Sequence, residues 1–346
     1  MNSTQNLYSF LDDYSEGCHP AILQALTETN MQQQTAYGED DYSQEAKACI
    51  HRHMDGLKPE IYFIASGTLT NLIVIASCLR PHEAVIAPAS GHITLRETGA
   101  IEATGHKIIA MPGENGKLRP EDVATALTQN AHFPHMAKPR MVYISNASEL
   151  GTLYTKAELQ ALSALCREKG LLLFVDGARL GAALSADKSD LSLRDVADLS
   201  DIFWIGGTKA GALLGEAVVI ANPSLAEDFA FHIKQRGALL AKGRVLSLQF
   251  TELFRDNLYF DLTRHANQMA NKFSTGVTAA GYQLLAETET NQIFPILPND
   301  LIARLQEQFR FYVWGEAEAD HSVIRLVTSW ATDESQVDAF LAMLKH

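Results

Sequence analysis

The chain predicts an α/β protein. Residues 1–250 read as a large domain with a mainly parallel sheet sandwiched by helices, and residues 251–346 as a smaller α+β domain. Three observations carry this. Short apolar runs alternate with amphipathic stretches through the first part of the chain. Several runs are apolar at consecutive positions, as in Leu171-Leu172-Leu173-Phe174-Val175, which suits strands covered on both faces. After about Phe250 the texture changes, and a chain of 346 residues exceeds the ~250–300 at which single cores stop growing.

Taken in order, the strands are expected at Ile61–Ala65, Ala84–Ala87, Lys107–Met111, Arg140–Ser145, Leu171–Asp176, Asp201–Ile205 and Glu216–Ala221. Between them, Leu69, Leu72, Ile73, Ala76 and Leu79 recur at helical spacing, and Pro120 opens a helix carrying Val123, Ala126 and Leu127. Thr155-Lys156-Ala157-Glu158 reads as a capping box, and the helix it starts ends at Gly170. Farther on, a long helix-like region is expected from Arg244 to Ala280. Strands follow at Ile293–Leu297, Phe311–Trp314 and Val323–Thr328, and a last amphipathic helix from Asp333 to Leu344.

Composition narrows the function. The formal net charge is −13 with no basic run, which argues against nucleic acid as a partner. No apolar stretch approaches the roughly 20 residues of a membrane span, and the first residues lack the basic start and apolar run of a signal peptide. The four cysteines are scattered without metal-ligand spacing, so no metal site is expected and the thiols read as reduced in a cytoplasmic protein.

Three local features lie at strand ends, where ligands bind in open α/β sheets. Ser66-Gly67-Thr68 leads from a strand into a helix, offering hydroxyls and free amides to an anion. Asp176 ends an apolar strand, where a carboxylate can pair with a cationic ring nitrogen, and Arg179 follows it with the geometry to clamp a carboxylate. Lys209 stands in Gly206-Gly207-Thr208-Lys209-Ala210-Gly211, held by glycines on both sides. Alone, each has a bland alternative: a capped turn, an N-cap aspartate, a solvated loop lysine. Together they supply a phosphate anchor, an acidic partner and a nucleophilic amine, the set that pyridoxal 5'-phosphate requires.

Phe174-Val175-Asp176-Gly177-Ala178-Arg179-Leu180 and Gly206-Gly207-Thr208-Lys209-Ala210-Gly211 resemble the threonine aldolase / β-eliminating lyase family of fold-type I pyridoxal-phosphate enzymes. So do Tyr37-Gly38-Glu39-Asp40, Ser66-Gly67-Thr68-Leu69-Thr70-Asn71, Gly91-His92 with Glu97-Thr98-Gly99, Ser148-Glu149-Leu150-Gly151-Thr152, and Ile324-Arg325-Leu326-Val327-Thr328-Ser329-Trp330. The resemblance implies that Lys209 forms the Schiff base and that Asp176 pairs with the ring nitrogen. Ser66, Gly67 and Thr68 would hold the phosphate, aided by Arg244 from a neighbouring subunit. His92 would stack on the ring and act as, or orient, a base, while Arg179 and Arg325 would clamp the substrate carboxylate. Tyr37 would reach a partner's site, and Asp12 would lie at the substrate. The family assembles as dimers or tetramers with shared sites, so a homo-oligomer is expected, a homotetramer among the possibilities. Two positions depart from the family pattern: Leu11 before Asp12, where many members carry serine, and Asn146-Ala147-Ser148-Glu149, where many carry a second active-site histidine. They leave the base and the preferred substrate open.

The activity implied is cleavage of a β-hydroxy-α-amino acid, such as L-threonine or L-allo-threonine, to glycine and an aldehyde. The alternatives are β-elimination or transamination by the same cofactor set, or a weakly catalytic pyridoxal-phosphate-binding protein.

Overall fold

The computed structural model describes residues 7–345. Its main sheet has seven strands: β1 (Glu60–Ile64), β2 (Glu83–Pro88), β3 (Lys107–Met111), β4 (Lys138–Ser145), β5 (Leu172–Asp176), β6 (Ile202–Gly206) and β7 (Glu216–Ile220). Their order is β1-β7-β6-β5-β4-β2-β3. The consecutive apolar runs have a direct cause. Leu173 and Val175 of β5 enter one core while Leu172 and Phe174 enter another on the opposite face. Strand β6 divides the same way, Phe203 and Ile205 against Ile202 and Trp204. Every strand-to-strand pairing is parallel except those of β7, which runs antiparallel to both β1 and β6. The connection from β6 to β7 explains it: residues 207–215 are too few for the crossover that a parallel return needs, about a dozen residues or more.

Helices cover both faces. Helix α1 (Gly67–Cys78) follows β1, and α2 (Lys156–Lys169) follows β4. The expected capping box is present: Thr155 Oγ1 accepts from the Glu158 amide, the Glu158 carboxylate accepts from the Thr155 amide, and Gly170 closes the helix at φ +64°.

The helix-like stretch from Arg244 to Ala280 is divided into two helices, α3 (Arg244–Arg255) and α4 (Leu258–Ala279). The chain turns at Asn257, whose φ is +63°, a conformation asparagine tolerates better than most residues. The break lets the two helices serve different cores. Phe250, Leu253 and Phe254 pack under the main sheet, whereas Met269, Ala270, Phe273 and Val277 pack with the C-terminal elements.

That second core is closed by a small antiparallel sheet of β8 (Gln283–Leu284), β9 (Gln292–Ile293), β10 (Pro295–Pro298), β11 (Tyr312–Glu318) and β12 (His321–Val327), with the last helix, α5 (Glu334–Met343). The strand expected at Ile293–Leu297 is interrupted at Phe294, and both pieces pair with β12. Phe10, from the N-terminal segment, also enters this core. That segment crosses between the two cores and carries Asp13 to the main sheet. Among the described residues no helix is long and apolar enough to cross a membrane.

Candidate active site

The carboxyl ends of the parallel strands share one edge of the sheet, and a cavity of about 410 Å³ opens there. Its wall includes Ser66, Gly67 and Thr68 after β1, His92 after β2, Glu149 after β4, Asp176 and Arg179 at the end of β5, and Lys209 after β6. The lysine and the aspartate expected to face each other therefore do share one cavity.

Asp176 is buried and fixed by three donors. Asn71 Nδ2 donates to Oδ2 at 2.9 Å, the Tyr143 hydroxyl to Oδ2 at 2.6 Å, and the Ala178 amide to Oδ1 at 2.9 Å. Asn71 in turn donates to Glu97 Oε1 at 2.8 Å and accepts from Trp204 Nε1 at 3.2 Å. Glu97 Oε1 also meets His92 Nδ1 at 2.8 Å, which leaves the imidazole one untethered nitrogen, Nε2. A chain of short contacts thus runs from Asp176 through Asn71 and Glu97 to His92.

Lys209 has neither a hydrogen bond nor an ion pair with any described residue; its ammonium lies 5.8 Å from the centre of the Tyr14 ring. Burial, then the positive charge of Arg179, lower its pKa, and the carboxylates of Asp13, Asp176 and Glu216 only partly oppose them. An amine so placed is available to attack a carbonyl. Glu216, at the start of β7, accepts from the Gly207 amide at 3.0 Å and the Thr208 hydroxyl at 2.9 Å, bracing the lysine loop. Burial raises its carboxyl to about 8.

At the head of α1, the Ser66 side chain makes no capping bond, so its hydroxyl remains available beside the first free amides of the helix. Gly67 is dictated by packing: a Cβ there would lie 2.9 Å from the Trp204 ring. Pyridoxal phosphate fits this set on the observations themselves, with an unpartnered amine on the cavity wall, a buried carboxylate fixed by three donors and a helix end with an unused hydroxyl.

The arginines carry a surprise. Arg179 does lie on the cavity, but Nε and Nη2 already donate to Asp13 at 2.7 and 3.0 Å. Asp13, which the sequence did not single out, is fully buried and also accepts from Asn291 at 2.9 Å. Burial alone would raise its carboxyl, but the charges of Arg179 and Lys209 and the hydrogen bonds outweigh that and lower it. Arg325, on β12, donates twice to Gln292 Oε1, at 3.1 and 2.7 Å, and lies 5.3 Å from the Trp314 ring. Burial and the positive charge of Arg179 bring it down to about 10, and the charges of Asp13 and Asp12 only partly oppose them. Asp12 is close enough to raise the pKa of Tyr14, which burial and that charge push up to about 12.

Two expected residues are elsewhere in this chain. The Tyr37 amide donates to Ala241 O, and the ring lies 4.6 Å from the Lys234 ammonium. Arg244 donates to the backbone carbonyls of Gln32 and Asn30. Neither lines the Lys209 cavity, but they are close to each other, since a Cβ on Gly243 would meet Gly38 N at 2.7 Å. Sequence reasoning missed Asp13, Tyr14, Tyr143, Trp204 and Glu216, and gave no role to Asn71, Glu97, Glu149 or Thr208. For Tyr143 the signal was a hydroxyl inside an otherwise apolar strand.

A doubly covered sheet with an unpaired lysine and a fixed aspartate on one cavity at its carboxyl edge defines a fold-type I pyridoxal-phosphate enzyme. The chain belongs to the β-eliminating lyase family, whose match covers residues 10–299. It is 33% identical to the low specificity L-threonine aldolase of Pseudomonas aeruginosa, over 96% of both chains. Its identity to the same-named protein of Pseudomonas sp. strain NCIMB 10558 is 32%, covering 99% of this chain and 98% of that one. Among solved structures it resembles Leishmania major threonine aldolase, with a TM-score of 0.96 and 47% identity over 98% of each chain. An aspartate aminotransferase mutant of Thermus thermophilus gives a TM-score of 0.73 at 17% identity, covering 98% of this chain and 91% of that one, a likeness of fold alone.

Proposed function

We propose that this enzyme cleaves β-hydroxy-α-amino acids between Cα and Cβ, releasing glycine and an aldehyde, with L-threonine or L-allo-threonine as substrate. The observation that carries the reading is the single cavity shared by Lys209 and Asp176 in a chain whose full-length relatives are threonine aldolases. When bound, pyridoxal phosphate withdraws electrons from the bonds at the substrate Cα.

The chain's own residues do the rest. Lys209 anchors the cofactor, and burial and the charge of Arg179 lower its pKa, which favours the nucleophilic form of the amine. Asp176, held by Asn71, Tyr143 and Ala178, keeps a positive charge on the ring nitrogen. Ser66, Gly67 and Thr68 would receive the phosphate, and His92, its Nδ1 tied to Glu97, would stack on the ring. Arg325, whose hydrogen bonds go to the neutral Gln292 amide, and the remaining Nη1 of Arg179 take the substrate carboxylate and so fix which Cα bond is oriented for cleavage. Asp13 positions Arg179, and Asp12 does not itself line the cavity but acts on Tyr14, which does.

Tyr37 and Arg244, gathered on one surface apart from the cavity, we assign to the site of a neighbouring copy in a dimer or tetramer. Arg244 must release the carbonyls of Asn30 and Gln32 to take part. The four unpaired cysteines support a cytoplasmic enzyme. The test is product analysis of the cofactor-loaded protein on L-threonine. Glycine with acetaldehyde supports the reading. A keto acid with ammonia, or a keto acid with an aminated cofactor, overturns it in favour of elimination or transamination.

A further inference from the structure

Cα–Cβ cleavage of a β-hydroxy amino acid needs an acceptor for the hydroxyl proton, and the sequence leaves that acceptor open. Glu149 meets the requirement on geometry. It belongs to the wall of the Lys209 cavity. One oxygen, Oε1, accepts from the His92 amide at 2.9 Å and from Ser145 Oγ at 2.7 Å, so the carboxyl is fixed from both sides. The other, Oε2, is buried and has no hydrogen-bond partner among the described residues. A carboxylate oxygen in that condition is costly unless it receives a donor.

We propose that Glu149 accepts the proton of the substrate β-hydroxyl, an assignment that rests on the aldolase reading above. The O–H bond breaks as the new O–H forms on Glu149. The oxygen's electron pair closes the aldehyde carbonyl, and the Cα–Cβ pair remains with Cα. Protonation of Cα then gives glycine, so the two protons balance and no further reactant is consumed.

The surroundings raise the proton affinity of this carboxylate. Burial raises the Glu149 carboxyl, the Ser145 hydrogen bond opposes this, and the charge of Asp176 adds to it. The other groups that feel its charge are Tyr143, Tyr154 and Arg179, with the His92 amide bonded to it directly. His92 is the competing acceptor.

The experiment compares wild type, Glu149→Gln and Glu149→Asp, each loaded with cofactor. Gln keeps the Oε1 acceptor for His92 and Ser145 but cannot take a proton. Aldehyde release by Glu149→Gln should fall on the order of 10²–10⁴-fold, the usual worth of a general base. Glycine binding, followed by the cofactor spectrum, and exchange of the glycine Cα proton in heavy water should stay at wild-type levels, because neither requires a β-hydroxyl proton to move. Glu149→Asp, which keeps a carboxylate, should retain more aldehyde release than Gln, with its acid limb displaced from that of wild type. Undiminished aldehyde release in Glu149→Gln overturns the proposal. So does a parallel loss of glycine binding or exchange in both variants, which marks a structural role. If wild type itself releases no aldehyde while still exchanging glycine, the aldolase reading fails and takes the assignment with it.

Discussion

The Asp13–Arg179 pair allows a stability prediction that needs no cofactor. Asp13→Asn keeps the shape of the side chain but removes the counter-charge from Arg179, whose side chain is 11% exposed. Asp13 receives two hydrogen bonds from Arg179 and one from Asn291, so asparagine also turns one acceptor into a donor that faces donors. Removing one partner of a buried pair costs about 3–5 kcal/mol. Arg179 also borders the cavity, where water offers relief, so the lower end, about 3 kcal/mol, is expected. With an m value of about 3 kcal/mol/M, the urea midpoint of the apoprotein falls by about 1 M. The double variant Asp13→Leu with Arg179→Met removes both charges and should lie closer to wild type than the single one, since hydrophobic replacement of a buried pair is often neutral. The pH dependence follows from the sign of the shift. A carboxyl held below its ordinary value stabilises the fold above the unfolded pKa of about 3.9, and that contribution is lost as pH falls through the folded value. The difference between wild type and Asp13→Asn should therefore be full at neutral pH and shrink in acid. A loss below about 0.5 kcal/mol, or one that persists undiminished in acid, refutes the reasoning.

Further expectations concern the site directly. Lys209→Ala should abolish the borohydride-reducible adduct with pyridoxal phosphate; an adduct at wild-type yield would name a different lysine. Asp176→Asn should retain some cofactor while kcat falls on the order of 10² or more, because a neutral ring is a poor electron sink, and unchanged turnover would count against the pairing. Arg325→Met should raise the KM for the amino acid by roughly ten- to a hundredfold, matching about 1.5–3 kcal/mol for a hydrogen bond to a charge, with a smaller effect on kcat. Equal losses in kcat and kcat/KM would instead place Arg325 in transition-state binding alone.

The sequence revealed what depends on local pattern and concealed what depends on strand order. Leu172, Leu173, Phe174 and Val175 announce a doubly covered strand because each is buried in its own right. Lys209 and Ser66 stand out because glycines and a strand-to-helix turn mark them locally. Asp13 had no such mark: its partner lies 166 positions away, and only the path of the N-terminal segment past β5 brings them together. The contacts of Asn71 with Asp176, 105 positions apart, and of Glu149 with His92, 57 apart, are likewise products of the sheet order. The break at Asn257 was hidden for another reason. The apolar periodicity continues across it, and only the divergence of two cores separates the helices.

The sheet and its lysine do not choose the reaction, since an aspartate aminotransferase shares the fold. The choice lies in where proton acceptors stand. Transamination moves a proton at Cα, close to the anchoring amine, and Lys209 alone can serve it. Cleavage of Cα–Cβ requires an acceptor one bond farther out, at the β-oxygen. Here the cavity wall carries a carboxyl and an imidazole joined through the His92 amide and braced by Ser145 and Glu97. Neither group would be needed to hold the cofactor ring nitrogen, the task proposed for Asp176, which three donors fix in place. An environment that raises one buried carboxyl while fixing another with donors separates two tasks within one cavity, and that separation favours aldol cleavage over chemistry confined to Cα.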